Sequence, residues 1–438
     1  MSLGQAALAP APVAAAGDGR FGTRNGLAYG LLGLPLAFVA LPLYVILPNH
    51  YAREFGVPLA TLGAILLGAR LFDALIDPLL GRLSDRLFAR SAKAVLALGG
   101  LASLVLALGF ALLFFPPVRA PAALVAWASV MLVLTYAGYS ALSVSHQSWG
   151  AMLGGDERQR SRIVAWREGL GLVGVVLASV TPVALGLPAT TALFFLALAC
   201  GWLAWARADR PVARSGFHPG RAASIWLPWR QAGFRRLLAV FMLNGIASAV
   251  PATLVLFFIQ DRLQAPQSLE PLFLGSYFLC AALSIPLWLA VVKRLGLAPA
   301  WLLGMLLAIA TFGWANQIGA GEVVAFALVC ALSGIALGTD LALPGALLAG
   351  LIQASGQSGR AEGAYFGWWN FAIKLNLALA AGLALPALAL FGYAPGARDA
   401  QALQALMVAY CVLPCALKLA AAACLYFFVI KKPEGLLP

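Results

Sequence analysis

Apolar residues run along this chain in stretches of about 20, parted by short polar breaks, and do not alternate with polar residues. As helix, a stretch of that length crosses the roughly 30 Å hydrocarbon core of a bilayer. Twelve stretches are predicted to be helical: 25–50, 59–84, 94–116, 121–150, 161–184 and 187–207, then 235–260, 269–293, 298–317, 322–350, 363–393 and 402–430. The polar segment Arg207 to Gln231 divides them six and six. Alternating strands of about ten residues, which a membrane barrel would need, are absent. The expected fold is an all-α membrane protein of twelve transmembrane helices. Its expected organisation is a disordered tail over 1–24, a six-helix bundle over 25–207, a linker loop over 208–234, a second six-helix bundle over 235–431 and a tail over 432–438.

Composition sharpens this. The chain is 62% hydrophobic and 10% charged, whereas a soluble domain is about half apolar and a quarter charged. The 45 glycines suit helices that approach closely in lipid. A formal net charge of +13 could suggest nucleic acid, but the distribution argues otherwise. With the first tail inside, the outside loops hold only Arg53, Arg119, Arg262 and Arg398, and Arg70, Lys374 and Lys418 fall within helices. Every other Lys and Arg is inside, as the positive-inside rule requires. Both termini are then cytoplasmic, in what reads as a bacterial inner membrane, and no nucleic-acid partner is expected. The six Cys sit in apolar runs without zinc-type spacing, so no metal site is expected. The first residues lack a basic n-region followed by an apolar h-region, so no cleaved signal is expected.

The halves carry a faint repeat. DALIDPLLGRLSDR (73–86) aligns with AALSIPLWLAVVKR (281–294), Pro78 falling on Pro286 and Arg86 on Arg294. Parallel repeats of six-helix halves mark the major facilitator fold. Asp73 and Asp77 face Ala281 and Ile285 across this alignment, so the fold itself does not require those carboxylates.

The candidate chemistry lies on helices. Arg70, Asp73 and Asp77 share one face of helix 2 by their spacings of three and four. Charges at the bilayer centre cost at least about 3 kcal/mol each and face a protein-lined or wet cavity. Two carboxylates one turn apart repel unless a cation or a shared proton intervenes. They suit a cation site for Na⁺ or H⁺; the alternative is a structural network with Arg70. Helix 11 carries Asn370 and, one turn on, Lys374, too deep to snorkel easily. Its candidate partners are Asp73, Asp77 and Asp340, the last giving a static tie between helices 10 and 11. Helix 4 carries a polar stripe, Tyr136, Tyr139, Ser140, Ser143, His146 and Gln147, followed by Trp149. Its spacing suits a polyhydroxylated ligand, although His146 is equally a satisfied core residue. Arg167 beside Glu168 on helix 5 is a substrate or gate candidate, and Asn244 on helix 7 a further substrate candidate. GRLSDR, with Gly81, Asp85 and Arg86, reads as a gate at the end of helix 2. No nucleotide-binding loop, H-E-x-x-H or nucleophile elbow is present, so neither ATP-driven transport by this chain nor enzymatic catalysis is expected.

LLGARLFDALIDPLLGRLSDR resembles helix 2 of the glycoside–pentoside–hexuronide:cation symporters, the major facilitator branch typified by melibiose permease. Arg70, Asp73, Asp77 and Pro78 match that family's cation-site run. SHQSWGAML with DERQRSRIVAWRE resembles its helix 4 to helix 5 stretch, with Arg167 at the helix 5 arginine. SGRAEGAYFGWWNFAIKL resembles its helix 11, with Lys374 at the lysine beside the cation-site acids. The sugar-binding acids that melibiose permease places on helices 1 and 4 have no match. The resemblance implies two six-helix bundles and cation-coupled symport of a small polar solute, a sugar, glycoside or uronate, by alternating access. Asp73 and Asp77 would bind the cation, and Arg70 and Lys374 would balance charge. Tyr139, Ser143, His146, Gln147, Trp149, Arg167, Asn244 and Asn370 would face substrate. The implied partners are that solute and the lipid bilayer, with no cofactor beyond the coupling ion Na⁺ or H⁺, and the chain is expected to be monomeric. A proton-coupled exporter and a lysolipid transporter of the same fold are the alternatives.

Overall fold

The computed structural model describes residues 21–57, 59–211, 224–390, 392–393 and 396–431. Most of the expected first tail, the middle of the linker with His218, and the tail from 432 lie outside the described residues.

Among the described residues, twelve helices of membrane-spanning length are present. Helix α1 spans 23–55, assembled from Thr23–Gly30, Gly33–Leu41, a π-helical turn at Pro42–Ile46 and Leu47–Phe55. Then come α2 (Leu59–Arg90), α3 (Ala92–Phe114) and α4 (Pro121–Met152). A helical run of 51 residues, Glu157–Arg207, follows. At 1.5 Å per residue it is more than twice as long as a bilayer core needs. Gly186, at φ 77°, kinks it, and two spans result, α5 (Glu157–Pro182) and α6 (Ala184–Arg207), with the kink in the first turn of α6. The second half comprises α7 (Ala232–Arg262), α8 (Glu270–Leu295), α9 (Leu297–Ala315), α10 (Val323–Ala354), α11 (Glu362–Leu390) and α12 (Ala400–Ile430). Ten of these helices are long and apolar enough to cross a membrane by length and composition alone. The charge-bearing α2, at 32 residues, and α11, at 29, are long enough as well.

Several ends differ from the sequence expectation for visible reasons. Helix α2 continues past 84 to Arg90, because GRLSDRLFAR holds no breaker until Ser91. The Ser91 hydroxyl accepts the Ala94 N–H at 3.1 Å and starts α3. Helix α5 begins at Glu157 and not at 161, since Asp156 caps it, accepting the Gln159 N–H at 2.8 Å. Helix α7 begins at Ala232 within the expected linker, after one helical turn at Leu227–Arg230.

One apolar core fills the first half, around Phe38, Phe110, Trp149, Phe194 and Trp205. Two more serve the second half, one around Phe234, Trp301 and Tyr365, the other around Phe258, Phe273 and Phe326. Lipid-facing stripes lie opposite. On α2, Leu67, Leu71, Leu75, Leu79 and Leu83 recur every fourth residue, 38–66% exposed. That spacing puts them on one side of the helix, away from Asp73 and Asp77.

The halves meet along α2 against α11 and α5 against α8 and α10. Gly81 and Gly363 let α2 and α11 cross almost backbone to backbone: a Cβ on either would overlap the carbonyl oxygen of the other. One turn deeper, Gly367 lies against the backbone of Asp77 and Pro78. Small residues at such a crossing allow main chains to approach closely in lipid.

Candidate functional site

The crossing of α2 and α11 brings the predicted charges together. Asp73 and Asp77 are 2% and 0% exposed. Lys374 reaches them from the other half, its Nζ 2.7 Å from Asp73 Oδ2 and 2.8 Å from Asp77 Oδ2. It also donates to Asp77 Oδ1 at 2.9 Å and to the Ser140 hydroxyl on α4 at 2.8 Å. The Ser140 hydroxyl in turn donates to Asp73 Oδ1 at 2.6 Å. The ammonium therefore sits astride Asp77, and Asp77 Oδ2, though close to it, receives no well-directed hydrogen bond. Two carboxylates thus share one ammonium in a cluster closed by three helices. Arg70, one turn up α2, is exposed, and its charge acts on Asp73 through space.

Of the three candidate partners of Lys374, Asp340 is not the one it meets. Asp340 pairs with Lys418 on α12 at 3.0 Å, within the second half. Asn244 belongs to that group too, its Oδ1 accepting from Lys418 at 2.7 Å. Lys418 is the residue that sequence reasoning passed over. A lysine deep in an apolar helix needs an anion, and that argument, applied only to Lys374, would have led to Asp340.

The α4 stripe divides. Ser140, Ser143 and Gln147 face α2 and α11. Gln147 Nε2 donates to Ser143 Oγ at 3.1 Å and, across the halves, to Asn370 Oδ1 at 3.2 Å. Asn370 Nδ2 is buried with no hydrogen-bond partner. Tyr139 is part-buried on the same helix. His146 and Trp149 point the other way, because each residue turns the helix by about 100°. His146 is 0% exposed, stacks on Tyr29 at 4.2 Å and donates from Nε2 to the Tyr29 carbonyl at 2.8 Å. Trp149 is buried and donates to the Asp209 carbonyl at 2.9 Å. Both are packed inside the first half. Arg167 is ion-paired with its neighbour Glu168 and borders a water-sized space between the halves, with Tyr29, Gln147 and Phe366.

Beyond this cluster the halves are latched toward the end of α2. The Asp85 carboxylate accepts the Gly363 N–H at 2.6 Å and the Ala364 N–H at 2.8 Å. It thus caps the first turn of α11 and meets the positive end of that helix dipole. Glu157 Oε2 does the same for α9, accepting the Leu297 N–H at 3.0 Å. Arg160 donates to Gln353 at 2.9 Å and Arg158 to the Lys293 carbonyl at 3.0 Å. Gly81 supplies the close crossing, and Arg86 is exposed at the same end.

A family model described as MFS/sugar transport protein matches residues 26–432. No curated protein matches the chain by sequence. Among solved structures, a bacterial homologue of the iron transporter ferroportin, in an outward-facing state, is 17% identical; it covers 94% of this chain and 99% of its own, with a TM-score of 0.68. The E. coli fucose:proton symporter FucP is 16% identical over 93% of this chain and 99% of its own, with a TM-score of 0.66. The human organic anion transporter MFSD10 is 19% identical over 92% and 99%, with a TM-score of 0.63. At these identities the likeness is one of fold.

Proposed function

This chain belongs to the MFS/sugar transport protein family, and from that premise we propose that it couples a monovalent cation, Na⁺ or H⁺, to symport of a small polar solute of the sugar, glycoside or uronate class. It is a multi-pass membrane transporter and not an enzyme. The observation that carries the proposal is the Asp73–Asp77–Lys374 cluster. Two buried carboxylates one helical turn apart share one ammonium, with the Arg70 charge acting on Asp73, and such a pair suits a bound monovalent cation or a shared proton. The Asp77 oxygen without a well-directed donor is the place for it. The oxygens of Asp73, Asp77 and Ser140 form a hard-ligand set that suits a small cation or a proton.

Solute would bind beside the cluster, where Gln147 and Asn370 meet across the halves and the Asn370 amide has a free donor. Arg167 borders the same region and suits an acidic or hydroxylated ligand. Cation binding would neutralise the cluster and free Lys374 from holding both acids. By linkage, cation and solute then raise each other's affinity by the same factor. With the basic end of the molecule cytoplasmic, as the positive-inside pattern gives, the latch at Asp85 and Glu157 is a closed cytoplasmic gate. The conformation is then the outward-facing member of an alternating-access pair.

The test is uptake of a panel of glycosides, pentoses and uronates into proteoliposomes, driven by an imposed Na⁺ or proton gradient. The proposal expects one gradient to drive accumulation of a panel member by the native protein, and Asp77→Asn to lose that accumulation with insertion intact. Native accumulation by Asp77→Asn would sink the cation-site assignment.

A further inference from the structure

A cavity of about 160 Å³ lies inside the second half, between α7, α8, α9, α10 and α12; none of its lining residues comes from α2, α4 or α11. A chamber of this size holds about one benzene-sized ring. Most of the wall is apolar, with Pro251, Val255, Phe278 and Phe312 prominent. Ala308 and Ala336 keep it open where larger side chains would fill it.

One part of the wall is charged. Lys418 donates to Asp340 at 3.0 Å and to Asn244 at 2.7 Å. Asp340 also accepts from Trp301 Nε1 at 2.8 Å and from the Ser248 hydroxyl at 3.2 Å. The pair is neutral as a unit and supported by three side chains. A charged ligand would therefore bring an uncompensated charge into an apolar space. Tyr277 and Tyr410 line the same chamber, and among the described residues neither hydroxyl has a hydrogen-bond partner. The Ser248 oxygen has spent its proton on Asp340 and keeps its lone pairs. The chamber thus offers phenolic donors and a hydroxyl acceptor within an aromatic wall.

We propose that this chamber is a second ligand site, separate from the Asp73–Asp77–Lys374 cluster, for a small uncharged molecule of about phenol size. The ring packs against the aromatic wall, and its single hydroxyl bonds among Tyr277, Tyr410 and Ser248. The proposal stands whether or not the cation assignment does.

The test is ligand-observed ¹⁹F NMR on the purified full chain in detergent, with 4-fluorophenol, fluorobenzene and 4-fluorobenzoate as probes. Saturable binding of 4-fluorophenol is expected. Fluorobenzene, lacking the hydroxyl, should bind about fivefold more weakly, the share of one net hydrogen bond. The anion 4-fluorobenzoate should not compete. Ala336→Phe fills the chamber and should abolish binding; Ala308→Leu intrudes from α9 and serves if the first variant does not fold. Binding unchanged in a folded chamber-filling variant would overturn the proposal. So would the absence of saturable binding to the native chain, or benzoate binding as tightly as the phenol.

Discussion

Replacing Lys374 by Gln removes the one cation that reaches both acids across the halves. At an effective dielectric of about 20, a unit charge pair at 2.8 Å is worth about 6 kcal/mol before desolvation. Measured costs of deleting one partner of a buried pair are about 3–5 kcal/mol, because the other charge is left uncompensated. Here two acids, 2% and 0% exposed, would be left. Lys374→Gln alone should therefore lower stability by about 3 kcal/mol or more. Lys374→Gln with Asp77→Asn should recover much of it, with a coupling energy of about 1–3 kcal/mol. The assay is a thermal or denaturant melt in detergent for the native chain, both single variants and the double variant, at fixed pH and without Na⁺. Adding Na⁺ should rescue Lys374→Gln more than it stabilises the native chain, since the ammonium no longer competes for the acids. Additive variants, or a Lys374→Gln cost within the roughly 0.5 kcal/mol of a surface change, would refute the reasoning.

Further outcomes follow from the same contacts. Asp85→Ala should cost about 1–2 kcal/mol through the lost α11 cap, and it should raise the labelling of cysteines introduced at that end of the cavity; unchanged labelling would contradict the latch. Gly81→Val should block the α2–α11 crossing, abolishing uptake in protein that still inserts, and native uptake would mean that the crossing is dispensable. Asp340→Asn should destabilise the second half by about 3 kcal/mol through unpaired Lys418, with Asp340→Asn/Lys418→Met recovering most of the loss in the same melt. His146→Ala should cost about 1–3 kcal/mol as a core truncation yet leave any Na⁺ response of the melt intact; loss of that response would put His146 in the site.

Helix number and the acidic pair were legible because bilayer thickness and helix periodicity are strong constraints. Asp73 and Asp77 are four residues apart in a stretch that lipid would reject, and they do turn inward together. Arg70, on the same spacing, stays exposed, since a long side chain can leave a face that a short carboxylate cannot. The α4 stripe was less legible. Gln147 and His146 are adjacent in sequence yet face different helices, and only the position of Tyr29 on α1 decides between them. Lys374 had three acids to choose from, and sequence gives no distance between helices. Its choice was settled by the glycines at 81, 363 and 367, which draw α11 onto α2, and by Lys418, which takes Asp340. The contacts between the halves were half legible: GRLSDR singled out Asp85, but the Glu157 side chain of α5 capping α9 joins residues 140 positions apart.

The most direct test of the central claim is the melting temperature of the native chain and of Asp77→Asn, titrated with Na⁺, Li⁺ and pH. A cation that binds only the folded protein stabilises it by about 2.7 kcal/mol at a hundredfold excess over Kd. The account predicts a saturable rise in the native melt with Na⁺, Li⁺ or protons, lost in Asp77→Asn. A native melt indifferent to all three, or a response that survives Asp77→Asn unchanged, would contradict it and make the acidic pair a purely structural partner of Lys374.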